Sequence, residues 1–443
     1  MNIGIVSLQF EETSTGGGGV HVENITNQFL KMGHKIAIMS IHTNKTINDI
    51  QFENDFDVPY SIEHRDSLTL IRFLIEEGID QPYVGDKTAE LNRIMRFAET
   101  AIEWIKKDIK KFDVINLQGH HIIPGFMARE LKDVNVKTVS YLHALETTYV
   151  TEKGDFVGAY EGTSEVLSKI RRWESMCCFA DVVIGNSPIV NEEVKGIISE
   201  FEKQPELFFK KIKLVASGCD EDFILPEGEI KEELANVPDI VNLITFCRID
   251  PSKGVEYSIR GAKKAAELSS QRFCLTIAGI PSSEEYLRQL KTEAENGPSN
   301  LVVEFNIFDR ISFKNEKKEI LDDKHIYILP TLKEPFGMSL IEASARGNMI
   351  VSAETNGPQY MFESHSGEKT EWGIITDYGV LAEITSDHDR YFAENIGKGI
   401  VWSVDNWEKS VDHILNFNKK IREFWTWRGV AEQYIEIFEN INS

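Results

Sequence analysis

Two carboxylates eight positions apart are the residues of this chain with the clearest potential for chemistry. Glu334 and Glu342 enclose the segment Glu-Pro-Phe-Gly-Met-Ser-Leu-Ile-Glu, in which Pro335 and Gly337 predict a tight turn leading into a helix near Met338. One acid then lies on the turn and the other on the helix, so both can face one ligand. An acid near a helix N-terminus can also simply complement the helix dipole. That interpretation explains either acid singly, but it explains the pair less well.

Two cations lie in a second segment that leads into a predicted helix. Arg248 and Lys253 belong to the segment Arg-Ile-Asp-Pro-Ser-Lys-Gly, which separates a predicted strand from a predicted helix. A guanidinium and an ammonium at a helix N-terminus suit a diphosphate, because both their charge and the helix dipole favour negative oxygens. The alternative is an ordinary surface loop whose cations pair with neighbouring acids.

Glycines and histidines follow predicted strands in the first half of the chain. The run Gly16–Gly19 would let the backbone approach a ligand closely and would leave N–H groups for an anion. It matches neither GxGxxG nor GxxxxGK[ST], so the standard dinucleotide and P-loop motifs are absent. His143 lies at the end of a predicted strand, a position where binding and catalytic residues are common. His120 and His121 follow another strand, but no carboxylate accompanies them at a ligand-like spacing, so a metal site is not favoured.

The elements that must position these residues alternate between strand and helix along most of the chain. Strand, glycine turn, helix and strand within residues 1–40 predict a parallel sheet. Residues 42–86 are polar with scattered aromatics and look like an insertion. The alternation restarts after an acidic, proline-containing linker at 221–239. The sequence therefore predicts two doubly wound α/β domains, with a ligand cleft between them at the carboxyl ends of the strands.

The composition of the chain limits the classes of partner that it can bind. The chain has 443 residues, a formal net charge of −23 and 42% hydrophobic residues, which is typical of a folded globular protein. This acidity argues against nucleic acid and anionic membrane partners. No apolar run reaches the roughly 18 residues of a membrane span, and the N-terminus resembles a strand more than a signal peptide. Five cysteines without a CxxC pair predict free thiols and a cytoplasmic location.

Taken together, these residues resemble the retaining nucleotide-sugar glycosyltransferases of family 4, which have the GT-B fold. The resemblance covers nearly the whole chain, and the landmarks fall in the family's order. They are the glycine loop with a helix ending at Gly33-His34, the strand-end His143, Arg248 with Lys253, and Glu334 with Glu342 around Phe-Gly. The Glu-x7-Glu segment is the most specific of them.

The resemblance implies a domain arrangement. Two Rossmann-like domains would face each other across a cleft, with residues 1–217 on the acceptor side and residues 218–424 binding the nucleotide-sugar donor. A C-terminal helix at about 425–443 would pack back on the first domain. The chain departs from the family in its longer glycine run and in Ser217-Gly218-Cys219-Asp220, which replaces Asn-Gly-Val-Asp. The insertion matches no family segment, and we expect it to shape an acceptor site.

The resemblance also implies an activity. A sugar would pass from a UDP-, GDP- or ADP-sugar to an acceptor hydroxyl, with retention and without a metal ion. The catalytic residues would be Glu334, His143, Lys253 and Arg248. The donor would be bound by Gly17, Gly18, Arg248, Lys253, Phe336, Gly337, Met338, Ser339 and Glu342. In this assignment the cations and helix-start amides hold the diphosphate, Glu342 binds the ribose, and Glu334 lies beside the donor sugar. His143 would contact the donor sugar or the acceptor.

The expected partners are a nucleotide-sugar donor and a small soluble acceptor, such as a sugar or a sugar phosphate. Homo-oligomerisation stays open. Two alternatives remain, namely a nucleotide-sugar epimerase on the same fold, which would need no acceptor, and a non-catalytic subunit that binds sugar nucleotides. The combination of Arg-x4-Lys with Glu-x7-Glu favours the transferase, and the intact charged residues argue against a non-catalytic role.

Overall fold

The chain folds into two compact α/β units. The computed structural model describes residues 1–14, 16–47, 50–54, 56–82, 87–119, 121–145, 164–308, 317–385 and 388–442. One unit comprises Met1–Ser217 with Trp427–Ser443, and the other comprises Gly218–Thr426. Among the described residues, each unit contains one eight-stranded sheet whose strands run mostly in parallel. The predicted pair of Rossmann-like α/β domains is confirmed.

The sheet of the first unit has a reversal of strand order that marks a ligand-binding position. Its strands are β1 (Asn2–Val6), β2 (Lys35–Ile41), β3 (Tyr60–Arg65), β4 (Leu68–Phe73), β5 (Val114–Gly119), β6 (Lys137–Leu142), β7 (Val182–Gly185) and β8 (Ile212–Leu214). They lie in the order β3-β4-β2-β1-β5-β6-β7-β8. Because the order reverses between β1 and β5, the carboxyl ends of these two strands form a topological switch point.

The first and last helices of the chain pack together in this unit. The helices are α1 (Gly17–Lys31), α2 (Lys87–Lys107), α3 (Ala128–Leu131), α4 (Ser164–Ser175), α5 (Pro188–Phe201), α6 (Glu206–Phe209) and the C-terminal helix (Trp427–Asn442). Val22, Ile25 and Phe29 repeat at helical spacing on the buried face of α1. The ring of Phe29 contacts Tyr434 and Phe438 of the C-terminal helix.

The region interpreted from sequence as an insertion contributes two strands to the first sheet. β3 and β4 form an antiparallel hairpin, and β4 pairs in parallel with β2 from Leu68 to Phe73. The hairpin was missed because β3 lies at the sheet edge and exposes Glu63, His64 and Arg65, which makes its sequence look polar. Strands β3 and β4 therefore extend the sheet instead of interrupting it.

The second unit repeats the design. Its strands are β9 (Ile240–Phe246), β10 (Arg272–Gly279), β11 (Leu301–Ile307), β12 (Ile326–Leu329), β13 (Met349–Ala353), β14 (Glu368–Lys369), β15 (Gly373–Ile375) and β16 (Val380–Ala382). Their order is β11-β10-β9-β12-β13-β16-β15-β14, so the switch point lies between β9 and β12. Strand β15 runs antiparallel to both of its neighbours, β14 and β16.

The helices of the second unit are α7 (Glu227–Glu233), α8 (Val255–Leu268), α9 (Glu284–Ala294), α10 (Lys317–Asp322), α11 (Met338–Ala345), α12 (Asn356–Met361), α13 (His388–Asp405) and α14 (Trp407–Phe424). Helix α7 lies within the segment that composition alone predicted to be a linker. The five cysteines are free thiols. Among the described residues, no helix combines the length and the apolar character that crossing a membrane requires.

Candidate functional site

The loop after β9 carries the two predicted cations at the switch point of the second unit. Asp250 caps the short turn that follows it, because its carboxylate accepts a hydrogen bond from the Ser252 amide at 3.0 Å. Gly254 ends this turn with a φ of +62°, and a Cβ there would lie 2.8 Å from the carbonyl oxygen of Pro330. This close approach requires glycine, and it brings Lys253 next to the loop that follows β12.

An ion pair joins the two predicted motifs of this unit. Lys253 Nζ lies 2.9 Å from Glu334 Oε2, although 81 positions separate the two residues. The side chains are 22% and 12% exposed, so solvent screens the pair less than it screens a surface pair. The carbonyl oxygen of Glu334 also accepts a hydrogen bond from the Gly357 amide at 2.8 Å. A carboxylate and an ammonium are therefore held within reach of one ligand.

The start of α11 supplies unpaired backbone donors beside this pair. Gly337, with a φ of +103°, is the N-cap residue. The amides of Met338 and Ser339 lie in the first turn, where a helix offers no intrahelical acceptor and where its dipole favours negative charge. Phe336 is buried and packs edge-on against Trp425, with ring centroids 6.1 Å apart. The Phe336 ring therefore anchors the turn.

The second acid of the motif is also paired. Glu342 in α11 forms an ion pair with Lys317, the first residue of α10, and the two side chains are 12% and 19% exposed. Both Glu334 and Glu342 lie close enough to the Tyr327 hydroxyl to act on it. Burial, with a smaller contribution from these acids, raises the pKa of Tyr327 well above its usual value. Lys317 was not among the residues predicted from sequence.

Arg248 differs from the two lysines. Its side chain is exposed, and among the described residues it makes no ion pair. Its charge nevertheless acts on Asp250. Burial alone would raise the pKa of Asp250, but hydrogen bonds from Ser252 and the charge of Arg248 hold that pKa below its usual value. Arg248 is thus a cation that a ligand can reach without first breaking an ion pair.

In the first unit, the glycine run and the predicted histidine lie together. Only Gly16 precedes the helix, because Gly17–Gly19 form the first turn of α1, where the sequence had predicted a loop. A Cβ on Gly18 would lie 3.6 Å from the His143 ring, so the two residues are close neighbours although 125 positions separate them in sequence. The first-turn amides of Gly17 and Gly18 lack intrahelical acceptors. His143 is half-buried, and its carbonyl oxygen accepts a hydrogen bond from Asn186 at 2.6 Å.

A buried polar network lies behind His143. The His21 ring nitrogens lie 2.9 Å from Ser217 Oγ and 2.9 Å from the Tyr434 hydroxyl, which also accepts a hydrogen bond from Gln118. The His21 ring packs edge-on against the His143 ring, with centroids 5.2 Å apart. Burial lowers the pKa of His21 to about 3, so His21 is neutral. The network therefore fixes His143 from behind with uncharged groups.

The structure thus brings the predicted residues together in two sets, one in each unit. Arg248, Lys253, Glu334, Glu342 and the start of α11 form the set of the second unit. Gly17, Gly18 and His143 form the set of the first. Sequence reasoning missed His21, whose position one turn after Gly17 on α1 was the available signal. His120 lies outside the described residues.

Comparison with known proteins shows a similarity to glycosyltransferases along most of the chain. The model described as Glycosyltransferase Family 4 matches residues 15–199, and the model described as Glycosyl transferases group 1 matches residues 227–377. A probable sucrose-phosphate synthase of Thermosipho melanesiensis is 22% identical over 447 residues, which are 98% of this chain and 92% of the relative. A D-inositol 3-phosphate glycosyltransferase of Corynebacterium efficiens is 24% identical over 300 residues, 65% of this chain and 66% of the relative.

Solved structures share the fold at lower identity. Sucrose-phosphate synthase from Thermosynechococcus elongatus superposes with a TM-score of 0.68 at 17% identity, covering 99% of this chain and 98% of that one. The catalytic domain of starch synthase IV from Arabidopsis thaliana, bound to ADP and acarbose, gives a TM-score of 0.69 at 15% identity, covering 100% and 99%. The two family models and the shared fold define a glycosyltransferase with the GT-B fold. Within that class, residues 15–199 match family 4, as the motifs of the chain indicated.

Proposed function

We propose that this chain transfers a sugar from a nucleoside diphosphate sugar to a hydroxyl of a small soluble acceptor, with retention at the anomeric carbon. The observation that carries the proposal is the Lys253–Glu334 pair at the second unit's switch point. The leaving group of such a donor is a diphosphate, whose charge increases in the transition state, while the sugar becomes cationic. A cation and a carboxylate side by side match both charges.

Each part of the donor has a counterpart among the described residues. Arg248, Lys253 and the first-turn amides of α11 would bind the diphosphate oxygens. Glu342 would accept hydrogen bonds from the ribose hydroxyls, and Glu334 would contact the sugar and offset its positive charge. With these groups in place the reaction would need no bound metal ion, because fixed cations and helix-start amides stabilise the departing phosphate.

The reaction exchanges one carbon–oxygen bond for another and transfers one proton. The bond between the anomeric carbon and the phosphate oxygen breaks, and the acceptor oxygen bonds to the same carbon from the same face. The acceptor hydroxyl proton passes to the departing phosphate oxygen, so no external base is required. His143 and the amides of Gly17 and Gly18 would orient the sugar hydroxyls near the reacting carbon, with His143 held by the His21 network.

The names of the relatives support a phosphorylated or polyhydroxylated acceptor. Those named above act as a sucrose-phosphate synthase and as a D-inositol 3-phosphate glycosyltransferase, and a mannosylfructose-phosphate synthase of Agrobacterium fabrum is 20% identical over 96% of this chain. We therefore propose a sugar phosphate or a cyclitol phosphate as the acceptor class.

The test begins with thermal shifts. UDP, GDP and ADP are each added to the protein, and the one that binds at saturation should raise the melting temperature by mass action. The corresponding nucleotide-sugars are then incubated with sugar phosphates, with and without EDTA, and the product's anomeric configuration is determined by proton NMR. Retention that persists in EDTA supports the proposal. Inversion, or conversion of the donor to an epimer without any acceptor, contradicts it.

A further inference from the structure

Lys317 occupies one oxygen of the acid proposed to bind the ribose. Its ammonium pairs with Glu342 Oε1, and among the described residues no hydrogen bond reaches the other carboxylate oxygen. Lys317 lies outside the Glu-x7-Glu segment and starts a different helix, α10. The pair therefore leaves Glu342 with one oxygen fixed by the protein and one oxygen open to a ligand.

An aromatic ring and a buried thiol lie beside this pair. Lys317 Nζ lies 5.9 Å from the ring centroid of Phe246, the last residue of β9 at the switch point. The Cys219 thiol is buried beside both charges, and burial, followed by the negative charge of Glu342, raises its pKa above the usual value. Because Glu342 is 12% exposed, removing its partner would leave a carboxylate without compensation in a poorly solvated place.

We propose that Lys317 is a positioning residue of the nucleotide pocket, which holds Glu342 in one orientation so that its open oxygen accepts hydrogen bonds from a ribose diol. The inference rests on the proposed function, because it assumes that the ligand is a nucleoside diphosphate. It predicts that the protein distinguishes ribonucleoside from 2′-deoxyribonucleoside diphosphates and that this discrimination depends on Lys317.

Charge gives Lys317 a second effect. A carboxylate next to a diphosphate site repels the ligand unless a cation cancels it. Lys317 supplies that cation without contacting the phosphates, so Glu342 can select the ribose while the diphosphate binds nearby. If Lys317 merely competed with the ribose for Glu342, its removal would strengthen nucleotide binding.

The experiment measures binding of UDP, GDP and ADP by calorimetry, and then compares the tightest of them with its 2′-deoxy form. In Lys317→Met, the dissociation constant for the ribonucleotide should rise about tenfold. The value for the deoxynucleotide should rise less, so the discrimination shrinks. Lys317→Arg should restore most of both, because it keeps the charge and a donor to Glu342.

The control is the neighbouring lysine on the same helix. Lys318 pairs with Asp222 at 3.3 Å on the surface, with the side chains 40% and 83% exposed, so Lys318→Met should bind both nucleotides like the unaltered protein. Melting temperatures verify that each variant is folded. An unchanged or tighter ribonucleotide affinity in Lys317→Met overturns the inference, as does an equal loss for both nucleotides. If the unaltered protein binds no nucleoside diphosphate, the proposed function itself is overturned.

Discussion

Charge distinguishes the switch points of the two units. Between β9 and β12, two carboxylates are each paired with a lysine, and Arg248 is exposed beside them. At the switch point of the first unit, the groups that meet are helix-start amides and aromatic rings. The deepest of these, His21, is kept neutral by burial and is hydrogen-bonded to Tyr434.

This difference indicates two tasks for two similar folds. A diphosphate is recognised by cations and dipoles, whereas sugar hydroxyls are recognised by neutral donors and acceptors held in fixed directions. The same doubly wound architecture places both kinds of group at the carboxyl ends of its strands. If the comparison is correct, substitutions in the second unit should impair nucleotide binding, and substitutions in the first should impair use of the sugar.

The largest effect is expected at Lys253. In Lys253→Met, the Glu334 side chain, which is 12% exposed, has no lysine to pair with. The proposed diphosphate site also loses a cation. We expect kcat/KM to fall about a thousandfold, with weaker binding of the nucleoside diphosphate. Steady-state kinetics and calorimetry measure the two effects.

Lys264, on the helix that follows, provides the control for that substitution. It pairs with Glu267 at 3.3 Å in a solvent-exposed position, so Lys264→Met should leave kcat/KM unchanged. Near-normal turnover by a folded Lys253→Met would remove Lys253 from the site and would weaken the distinction between the units.

Backbone packing at the second switch point gives the next largest effect. A Cβ at Gly357 would lie 2.0 Å from the carbonyl oxygen of Phe336, inside the turn that carries Glu334. Gly357→Ala should therefore lower the free energy of unfolding by about 3 kcal/mol, as measured by denaturant titration. Gly16→Ala is the matched variant in the first unit, since a Cβ there meets nothing within 4 Å. Equal stability of the two variants would contradict this account.

His143 tests the first unit. His143→Ala should lower kcat/KM for the sugar transfer about thirtyfold, or about 2 kcal/mol, because one hydrogen bond to the reacting sugar is lost. The dissociation constant of the free nucleoside diphosphate, measured by calorimetry, should stay the same, since His143 contacts the glycine turn of the first unit. A large loss of nucleotide affinity would contradict the separation of tasks.

Much of the fold could be predicted from sequence because its signals are local. Strands β7 and β12 and helix α8 illustrate this, since each is an uninterrupted apolar or amphipathic run between clear stops. The β3–β4 hairpin could not be predicted in this way. Its outer strand, β3, lies at the sheet edge and exposes Glu63, His64 and Arg65, so the period-2 apolar pattern of β3 is weak.

The candidate site was predictable to the extent that its residues lie within short motifs. Glu334 and Glu342 share one segment, and Arg248 and Lys253 share another. Lys317 and His21 contact partners 25 and 196 positions away, and only the fold brings such residues together. Neither residue type at an isolated position indicates a role, because surface lysines and buried histidines are both common.

Acid sensitivity is expected from the neutral network of the first unit. Burial lowers the pKa of His21 from 6.5 to about 3, so above pH 6.5 His21 is neutral in both the folded and the unfolded chain. As the pH falls below 6.5, the unfolded chain binds a proton that the folded chain does not, and stability decreases. The expected loss is about 1.4 kcal/mol for each pH unit until the pH approaches 3.

Denaturant titrations between pH 7 and pH 5 measure this slope. His42 and His413, whose pKa values burial lowers to about 4, contribute in the same direction, so His21→Gln should reduce the slope by about one proton without abolishing it. Equal slopes for the unaltered protein and His21→Gln would contradict a neutral, buried His21.

The smallest expected effect comes from removing one buried tyrosine hydroxyl in each unit. This pair of substitutions compares the two units most directly. The Tyr327 hydroxyl donates to the carbonyl oxygen of Phe246 at 2.7 Å and is also hydrogen-bonded to Ser339, so it links β9 to the start of α11. The Tyr141 hydroxyl donates to the carbonyl oxygen of Val215 at 3.1 Å in the first unit. Both Tyr327→Phe and Tyr141→Phe should cost about 1 kcal/mol of stability, since each leaves a buried acceptor without its donor.

Tyr327→Phe alone should also weaken binding of the nucleoside diphosphate, by about threefold, because the helix start that would hold the phosphates loses a support. Equal nucleotide affinities in the two variants would show that the hydroxyl only stabilises the fold and positions nothing for the ligand.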